Sequence, residues 1–120
     1  TDLDGADFIG SDLKGADLSG AILLNTSLIE ADLSTATAKR TEFRDADMTG
    51  AKLKNANLSG AFLFGVHLKG ADLTNTNLTN AFMRYANMRE ANLEGANLKG
   101  ADLSFAIMPD GTSPYGTTDY

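Results

Sequence analysis

Large apolar residues recur at every fifth position of this chain from Leu3 to Met108, and a small residue stands two positions before each of them. The third residue of each five-residue block, here called the centre, is Leu in 15 blocks, Met in 4, Phe in 2 and Ala only at position 38. The first residue is Ala in 16 of the 22 blocks, and positions two, four and five are mostly polar. We expect this repeat to decide the fold, because a fixed period overrides local propensity.

A period of five residues does not suit a helix. Five residues turn a helix about 140° past one full revolution, so the centres would spread around its whole surface. Positions one and three are two residues apart and point to the same side of a short extended segment. The rest of the block must then turn a corner, and the 10 glycines at position five suit a turn with positive φ. The pattern predicts a coil of short strands and corners with positions one and three inside.

A longer period predicts the number of sides in each coil. Phe62 and Phe82 are 20 residues apart, and so are Ile9 and Ile29. Twenty residues are four blocks, so we expect four sides per coil. Side chains 20 residues apart would then be neighbours at the spacing of adjacent strands, about 4.8 Å.

The blocks also carry a recognisable motif. Residues 16–20 read Ala-Asp-Leu-Ser-Gly and residues 96–100 read Ala-Asn-Leu-Lys-Gly. Repeated in one frame over residues 1–110, this motif resembles the A(D/N)LXX repeat of the pentapeptide-repeat family. The resemblance implies an all-β fold, a right-handed quadrilateral β-helix (a pentapeptide-repeat solenoid) of about 5.5 coils with four pentapeptides in each. The ending at residues 106–111 is similar to the exit from the repeat in cyanobacterial members, so we expect a cyanobacterial-type protein.

The domain organisation follows from where the repeat stops. Residues 1–110 are one repeat domain of 22 blocks, and residues 111–120 are a tail that we expect either to cap the last coil or to be disordered. Tyr115 and Tyr120 are the tail residues expected to fold over that coil. Ala38 is the weakest centre, and either its neighbours fill the space or the block forms a functional bulge.

Composition restricts the cellular setting only partly. There is no Cys, so disulfides and thiol sites are excluded. No apolar run approaches the roughly 20 residues that span a bilayer, so we expect a soluble protein without membrane insertion. The chain begins inside the repeat without Met, so we expect its N-terminus to be trimmed. The compartment therefore stays open between the cytoplasm and a thylakoid lumen or periplasm.

Net charge bears on the class of partner. The value of −6 disfavours a nucleic acid as partner. By resemblance, some family members are acidic rods that mimic DNA and act on a DNA-binding enzyme such as gyrase. This is the alternative function, and the acidic start supports it: Asp2, Asp4, Asp7, Asp12 and Asp17. The basic middle counts against it: Lys39, Arg40, Arg44, Lys52 and Lys54.

No constellation of residues predicts chemistry. Ser27, Asp47 and His67 share one column, but Asp47 stands between the other two, whereas a triad needs His in the middle. The N-terminal carboxylates would lie in parallel on a flat face and would not converge on a hard cation. We interpret the Asn column as an amide ladder: Asn57, Asn77 and Asn97. We therefore expect no catalytic, cofactor-binding or metal-binding residues, no enzymatic activity and no small-molecule substrate.

One side of the predicted rod departs from the polar pattern. It carries outward-pointing apolar and aromatic residues with two arginines among them, which we call the aromatic face: Ile22, Leu24, Arg44, Phe62, Phe64, Phe82, Arg84, Tyr85 and Phe105. Exposed aromatics with Arg are typical of binding hot spots, and contiguous apolar patches mark interaction surfaces. The sequence therefore predicts a non-enzymatic protein-interaction or structural module that binds an unidentified protein or a second copy of itself. The alternative is that the tail or further N-terminal residues cover this face.

Overall fold

A computed structural model describes residues 1–113. That part of the chain contains no helix and no strand longer than one residue. Its backbone instead forms 18 isolated parallel bridges, each joining position two of one block to position two of the block 20 residues later. The first bridge joins Asp2 to Ile22 and the last joins Asn87 to Ile107. The 20-residue register is the predicted one. The predicted short strands are reduced to single bridges, because each block turns a corner immediately after its centre.

Every corner uses the same backbone conformation. The N–H of position one donates to the C=O of the preceding centre, as from Ala6 to Leu3 at 3.0 Å. From Gly5 to Phe105, every residue at position five has a φ between 51° and 75°. This left-handed region costs glycine nothing and suits Asn, but it strains larger side chains. The prediction of positive φ at the corners is confirmed.

Neighbouring coils hold one another through a fixed set of backbone hydrogen bonds. Position two donates to the coil before it, as from Ile22 to Thr1 at 2.8 Å. Positions three and five donate to the coil after it, as from Leu23 to Glu42 at 2.7 Å. With the corner bond, four of the five N–H groups in a regular block have partners, and only that of position four remains.

Asp and Asn at position two complete this scheme. In all 13 blocks that carry one, the side-chain Oδ1 accepts the N–H of position four of the same block at 2.9–3.1 Å. A short polar side chain that bonds its own backbone two residues later is an Asx turn. The interpretation of Asn57, Asn77 and Asn97 as an amide ladder is therefore wrong for the Oδ1 atoms, which bond within their own blocks.

The core is a column of small and large apolar side chains. Every residue at positions one and three from Ala21 to Ala91 is buried, whereas Leu3, Leu18 and Leu98 near the ends are half-buried. Each buried Leu contributes roughly 1.5–3 kcal/mol. Three buried threonines take the place of Ala at position one. Each donates its Oγ1 to the carbonyl of a centre 23 residues earlier: Thr26 to Leu3, Thr41 to Leu18 and Thr76 to Leu53.

Ala38 does not interrupt the coil. Its side chain is buried, and its N–H donates to the C=O of Asn57 at 2.7 Å. Thr37 forms the regular bridges to residues 20 positions before and after it. Because register and hydrogen bonding are kept, no bulge forms at this block.

After the last block the chain folds back on itself. The N–H of Met108 donates to the C=O of Thr112 at 2.8 Å, and Ser113 Oγ donates to the C=O of Ala106 at 2.9 Å. Asp110 Oδ1 accepts both the N–H and the hydroxyl of Thr112, at 3.0 and 2.6 Å. Residues 112–113 thus occupy backbone groups that another coil would bond. Tyr115 and Tyr120 lie outside the described residues. None of residues 1–113 forms a helix long and apolar enough to cross a bilayer.

Candidate protein-interaction face

The nine residues of the aromatic face belong to blocks that follow one another along one side of the rod. We call this the aromatic side; it consists of residues 1–5, 21–25, 41–45, 61–65, 81–85 and 101–105. A chain of bridges runs along it from Ile22 through Glu42 and Phe62 to Phe82. Four members have large exposed side chains: Ile22 at 40%, Phe82 at 40%, Tyr85 at 61% and Phe105 at 39%. Leu24, Phe62, Phe64 and Arg84 are half-buried, whereas Arg44 is exposed.

Three phenylalanines form a stack at the middle of this side. The rings of Phe62 and Phe82 are parallel within 3°, with centroids 5.0 Å apart. Phe64 and Phe82 lie within 8° of parallel at 6.4 Å. The first separation is close to the strand spacing of about 4.8 Å, so residues 20 apart stack without leaving their columns. This mutual packing explains why Phe62 and Phe64 are half-buried although both point outward.

A second pair of rings stands at the adjoining corner, where the repeat otherwise favours Gly or Asn. Tyr85 and Phe105 stack with centroids 5.2 Å apart and an interplanar angle of 11°. Their φ values are 62° and 60°, in the left-handed region. That conformation costs a residue with a Cβ roughly 1–2 kcal/mol. Two bulky aromatics therefore occupy positions that their backbone conformation disfavours.

Both arginines of the face are stacked and ion-paired. The Arg44 guanidinium lies 5.8 Å from the centroid of Phe64, and its Nη2 is 3.1 Å from Glu42 Oε2. The Arg84 guanidinium lies 5.6 Å from the centroid of Phe105, and its Nη1 is 3.9 Å from Asp102 Oδ2. The arginines thus cover ring faces while keeping part of their surface accessible to solvent.

A surface pocket opens between these groups. Its volume is about 540 Å³, and its lining consists of Arg44, Asp45, Phe64, Gly65 and Tyr85. Asp45, Gly65 and Tyr85 occupy position five of successive coils. Because Gly65 has no side chain, the Asp45 carboxylate lies against it, with Oδ1 2.5 Å from where a Cβ would be. The 20-residue spacing predicts that Asp45 and Gly65 share the outward corner column of Tyr85, but their residue types gave no reason to include them in the aromatic face.

Four blocks of the aromatic side, those between residues 21 and 85, lack the Asx bond that the regular blocks make. Ile22, Phe62 and Phe82 stand at position two, where an apolar side chain cannot accept the N–H of position four. Glu42 there uses Oε2 to bind Arg44. A typical hydrogen bond contributes about 1 kcal/mol. The two aromatic corners at Tyr85 and Phe105 are local outliers of the kind that cluster at functional sites.

The other sequence candidates lie elsewhere. Ile22 and Leu24 are separated from the Phe stack by the coil that carries Glu42. Ser27 bridges Asp47, which in turn bridges His67, so Asp47 stands between them as the spacing predicts. Within residues 1–113, no group of three or more His, Asp or Glu side chains is placed to hold a metal ion.

The carboxylates with shifted acidity lie off the aromatic side. The backbone N–H of Ser34 and then its hydroxyl lower the pKa of Asp32, and Ser19 does the same to the pKa of Asp17. For Asp72, the hydroxyl of Thr74 lowers the pKa most, followed by the Thr74 N–H. The Asx bonds account for these lowered pKa values, because hydrogen bonds donated to a carboxylate favour its ionised form.

Comparison with known families decides the relationship. The pentapeptide repeats family matches residues 1–37, 26–63 and 67–104, in eight copies. The chain belongs to this family. No curated protein sequence matches this pentapeptide-repeat protein.

Solved structures of other pentapeptide-repeat proteins resemble the chain. QnrB1, a plasmid-mediated fluoroquinolone resistance protein, is 24% identical with a TM-score of 0.67, over 88% of this chain and 63% of its own. HetL of the cyanobacterium Nostoc, involved in heterocyst differentiation regulation, is 31% identical with a TM-score of 0.44, over 93% of this chain and 63% of its own. Rfr23 of the cyanobacterium Cyanothece is 28% identical with a TM-score of 0.43, over 89% and 87%. This chain therefore spans about two thirds or less of the length of HetL and QnrB1.

Proposed function

We propose that this pentapeptide-repeat protein is a non-enzymatic interaction module whose aromatic face binds a protein. The observation that carries the proposal is the pair Tyr85 and Phe105. These two exposed rings stack at 5.2 Å although both residues have φ near 60°. At the same corner the four preceding coils carry Gly5, Asn25, Asp45 and Gly65, so local stability does not account for two aromatics there.

The surroundings of these rings have the features of a binding surface. Rings and stacked arginines form a contiguous surface over four successive coils, from Arg44 to Phe105. Aromatic residues and Arg dominate the energetics of protein interfaces. Because the rings hold one another in place, little side-chain freedom remains to be lost on binding.

We also propose the finer details of the fold and source that the family resemblance implies. These are a right-handed quadrilateral β-helix of about 5.5 coils over residues 1–110 and a cyanobacterial-type origin. The constant 20-residue register of the bridges supports the four-sided coil.

The alternative of an acidic DNA mimic rests on the net charge of −6. Charge is unevenly distributed around the rod, which weakens this alternative. The side containing residues 16–20, 36–40, 56–60, 76–80 and 96–100 carries Asp17 against Lys39, Arg40 and Lys99. A surface that imitates DNA needs negative charge on more than one side, because phosphates follow both strands of a duplex. Inhibition of gyrase supercoiling would support this alternative.

The test of the interaction module compares two double variants. Phe64→Asp with Phe82→Asp places two charges in the aromatic face. Thr74→Asp with Asn92→Asp places the same charges ten residues further along, which is half a coil and therefore on another side. Circular dichroism and thermal unfolding establish that both remain folded. Crosslinking pull-down from the source cells identifies a partner, and titration of the purified partner measures its affinity.

We expect the native chain and the Thr74/Asn92 variant to bind the partner equally. The Phe64/Phe82 variant should bind at least about 100-fold more weakly, since two hot-spot residues contribute upwards of 2 kcal/mol. Equal binding by all three chains would contradict the proposal. If the partner is a second copy of the chain, sedimentation of the purified protein detects the oligomer, and the Phe64/Phe82 variant should abolish it.

A further inference from the structure

We propose that the pocket between Asp45 and Tyr85 accepts the side chain of an arginine in a basic segment of the partner protein. This inference rests on the proposed function, because it names the chemistry that the aromatic face recognises. It is carried by one carboxylate without an ion pair, the exposed ring of Tyr85 and a glycine that accommodates the carboxylate.

The pocket offers a negative charge that the protein itself does not neutralise. Arg44 is paired with Glu42 at 3.1 Å, and Arg84 is paired with Asp102 at 3.9 Å. Asp45 is exposed, and across residues 1–113 no Lys, Arg or His nitrogen lies within 4.0 Å of its carboxylate. The charges around the pocket therefore sum to that of Asp45. The whole aromatic side has the same sign, with five acidic residues against two arginines.

The walls of the pocket suit a planar cation. Tyr85, the most exposed ring of the face, lines the pocket, and Phe64 lines it with a ring that is already stacked against Arg44 and Phe82. Asp45 and Tyr85 are two coils apart, roughly 9.6 Å between backbones at the usual strand spacing. That gap admits a flat guanidinium between a carboxylate and a ring. Arginine combines ion pairing with stacking on aromatic faces, and an ammonium group provides only a point charge.

Gly65 makes room for the Asp45 carboxylate. A Cβ at this position would meet Asp45 Oδ1 at 2.5 Å, so any other residue would displace the carboxylate. The φ of Gly65 is 63°, which other blocks tolerate with Asn, Thr or Glu at the same position. The glycine therefore has a second role here besides its backbone conformation, which is to accommodate the Asp45 carboxylate that lies over it.

An anionic ligand on Arg44 is the competing possibility, and the charge balance disfavours it. Arg44 already shares its charge with Glu42 and covers a face of Phe64. A carboxylate from a partner would meet the charge of Asp45 in the same pocket and would be repelled by it.

The experiment uses short blocked peptides, Ac-Gly-X-Gly-NH2, with X being Arg, Lys, citrulline or Glu. Citrulline has the shape of arginine without its charge. Binding to the full chain is followed by NMR through the ring resonances of Phe64 and Tyr85. Asp45→Asn removes the charge while keeping the shape and the tolerance of positive φ. Glu90→Gln is the matched control, because Glu90 is also an acidic residue at position five with φ of 62° but lies on the next side.

We expect the arginine peptide to shift both rings and to bind about tenfold more tightly than the citrulline peptide. Lysine should be intermediate and Glu should not bind. Asp45→Asn should weaken arginine binding about fivefold, and Glu90→Gln should leave it unchanged. Equal binding of citrulline, tighter binding of Glu, an unaffected Asp45→Asn variant or shifts that avoid the two rings would each overturn the inference.

Two outcomes separate this inference from the proposed function. A partner whose affinity falls with Phe64→Asp and Phe82→Asp but not with Asp45→Asn leaves the interaction module intact and overturns the arginine pocket. A partner that ignores all of these variants overturns the module. If the ring resonances shift with the concentration of the protein alone, the occupant of the pocket is a second copy of the chain and not a basic segment of another protein.

Discussion

The aromatic side and the side opposite to it have the same backbone arrangement but carry different side chains. The opposite side consists of residues 11–15, 31–35, 51–55, 71–75 and 91–95. Four of its five residues at position two are Asp or Asn, and each accepts the N–H of position four: Asp12, Asp32, Asp72 and Asn92. On the aromatic side, none of the four blocks between residues 21 and 85 has such a residue. Those blocks carry rings and arginines instead.

This difference shows which hydrogen bonds the coil requires and which it can lose. Bridges continue along the aromatic side through Ile22, Glu42, Phe62 and Phe82 without a break. The main-chain bonds between coils therefore do not depend on the identity of position two. The Asx bond adds local stability to each block, and a side that gives it up gains surface for other contacts. Four predictions test this interpretation, beginning with the largest expected effect.

Removing an Asx bond from the opposite side should destabilise the protein most. Asp72 accepts two hydrogen bonds from Thr74, from its N–H at 3.0 Å and its hydroxyl at 2.5 Å. We expect Asp72→Ala to lower the free energy of unfolding by about 2 kcal/mol, since hydrogen bonds to charged groups are the stronger ones. Lys52→Ala is the matched control in the same column, and it should change stability by no more than about 0.5 kcal/mol. Urea denaturation measures both, and equal losses would contradict the prediction.

Coupling between coils should be confined to the aromatic side. In a double-mutant cycle of Phe62→Ala and Phe82→Ala, we expect a coupling of about 1 kcal/mol from the parallel rings. A cycle of Asp72→Ala and Asn92→Ala spans the same 20 residues, but each Asx bond lies within its own block. Its coupling should be close to zero. Thermal or urea unfolding of the four variants and two doubles decides the matter, and a larger coupling in the second cycle would be inconsistent with local Asx bonds.

Restoring the consensus at Phe82 should leave stability nearly unchanged. Phe82→Asn supplies an acceptor for the N–H of Arg84 and removes the stack with Phe62 and Phe64. These terms are of similar size, so we expect a net change within about 0.5 kcal/mol, while affinity for the partner falls. The reverse exchange, Asn92→Phe, loses a bond of 2.9 Å to the N–H of Glu94 without gaining a stack. It should destabilise by about 1 kcal/mol. A Phe82→Asn variant that unfolds easily would show that the rings are needed for folding.

Acid should weaken the Asx bonds made by carboxylates. Hydrogen bonds from Thr74 hold the pKa of Asp72 below its ordinary value of 3.8 in the folded protein. A lowered folded pKa contributes stability that is present above the unfolded value and is lost as pH falls through the folded one. Asp72→Asn does not titrate, so its stability should approach that of the native chain below about pH 4. Thermal unfolding from neutral to acidic pH measures this, and parallel curves for the two proteins would contradict it.

The sequence was sufficient to predict the register, the inward columns and the corners. Each depends on a period, and a period is visible without coordinates. Leu at position three and Ala at position one are the residues found buried from Ala21 to Ala91. The placement of Asp47 between Ser27 and His67 followed from the same 20-residue arithmetic.

The missed features involve bonds between side chain and backbone. The role of Asp and Asn at position two escaped prediction because both ends of the bond lie in one block, and the repeat shows only that the residue recurs. The available signal was that Asp and Asn stand just before a turn, where their side chains often bond the backbone N–H two residues later. The Thr hydroxyls at position one reach a carbonyl 23 residues earlier, a spacing outside the 20-residue register. The pocket could not be predicted from residue type, because Gly is the commonest residue at position five and only the structure shows the Asp45 carboxylate lying over Gly65.

The hydrogen-bonding scheme of the coil makes the surface of this protein editable. Positions four and five carry side chains that the main-chain bonds between coils do not use. A group of outward residues can therefore be copied to another side by moving it five residues, or to another height by moving it twenty. A rod built in this way works as a display on which a recognition surface can be lengthened, shifted or erased one row at a time.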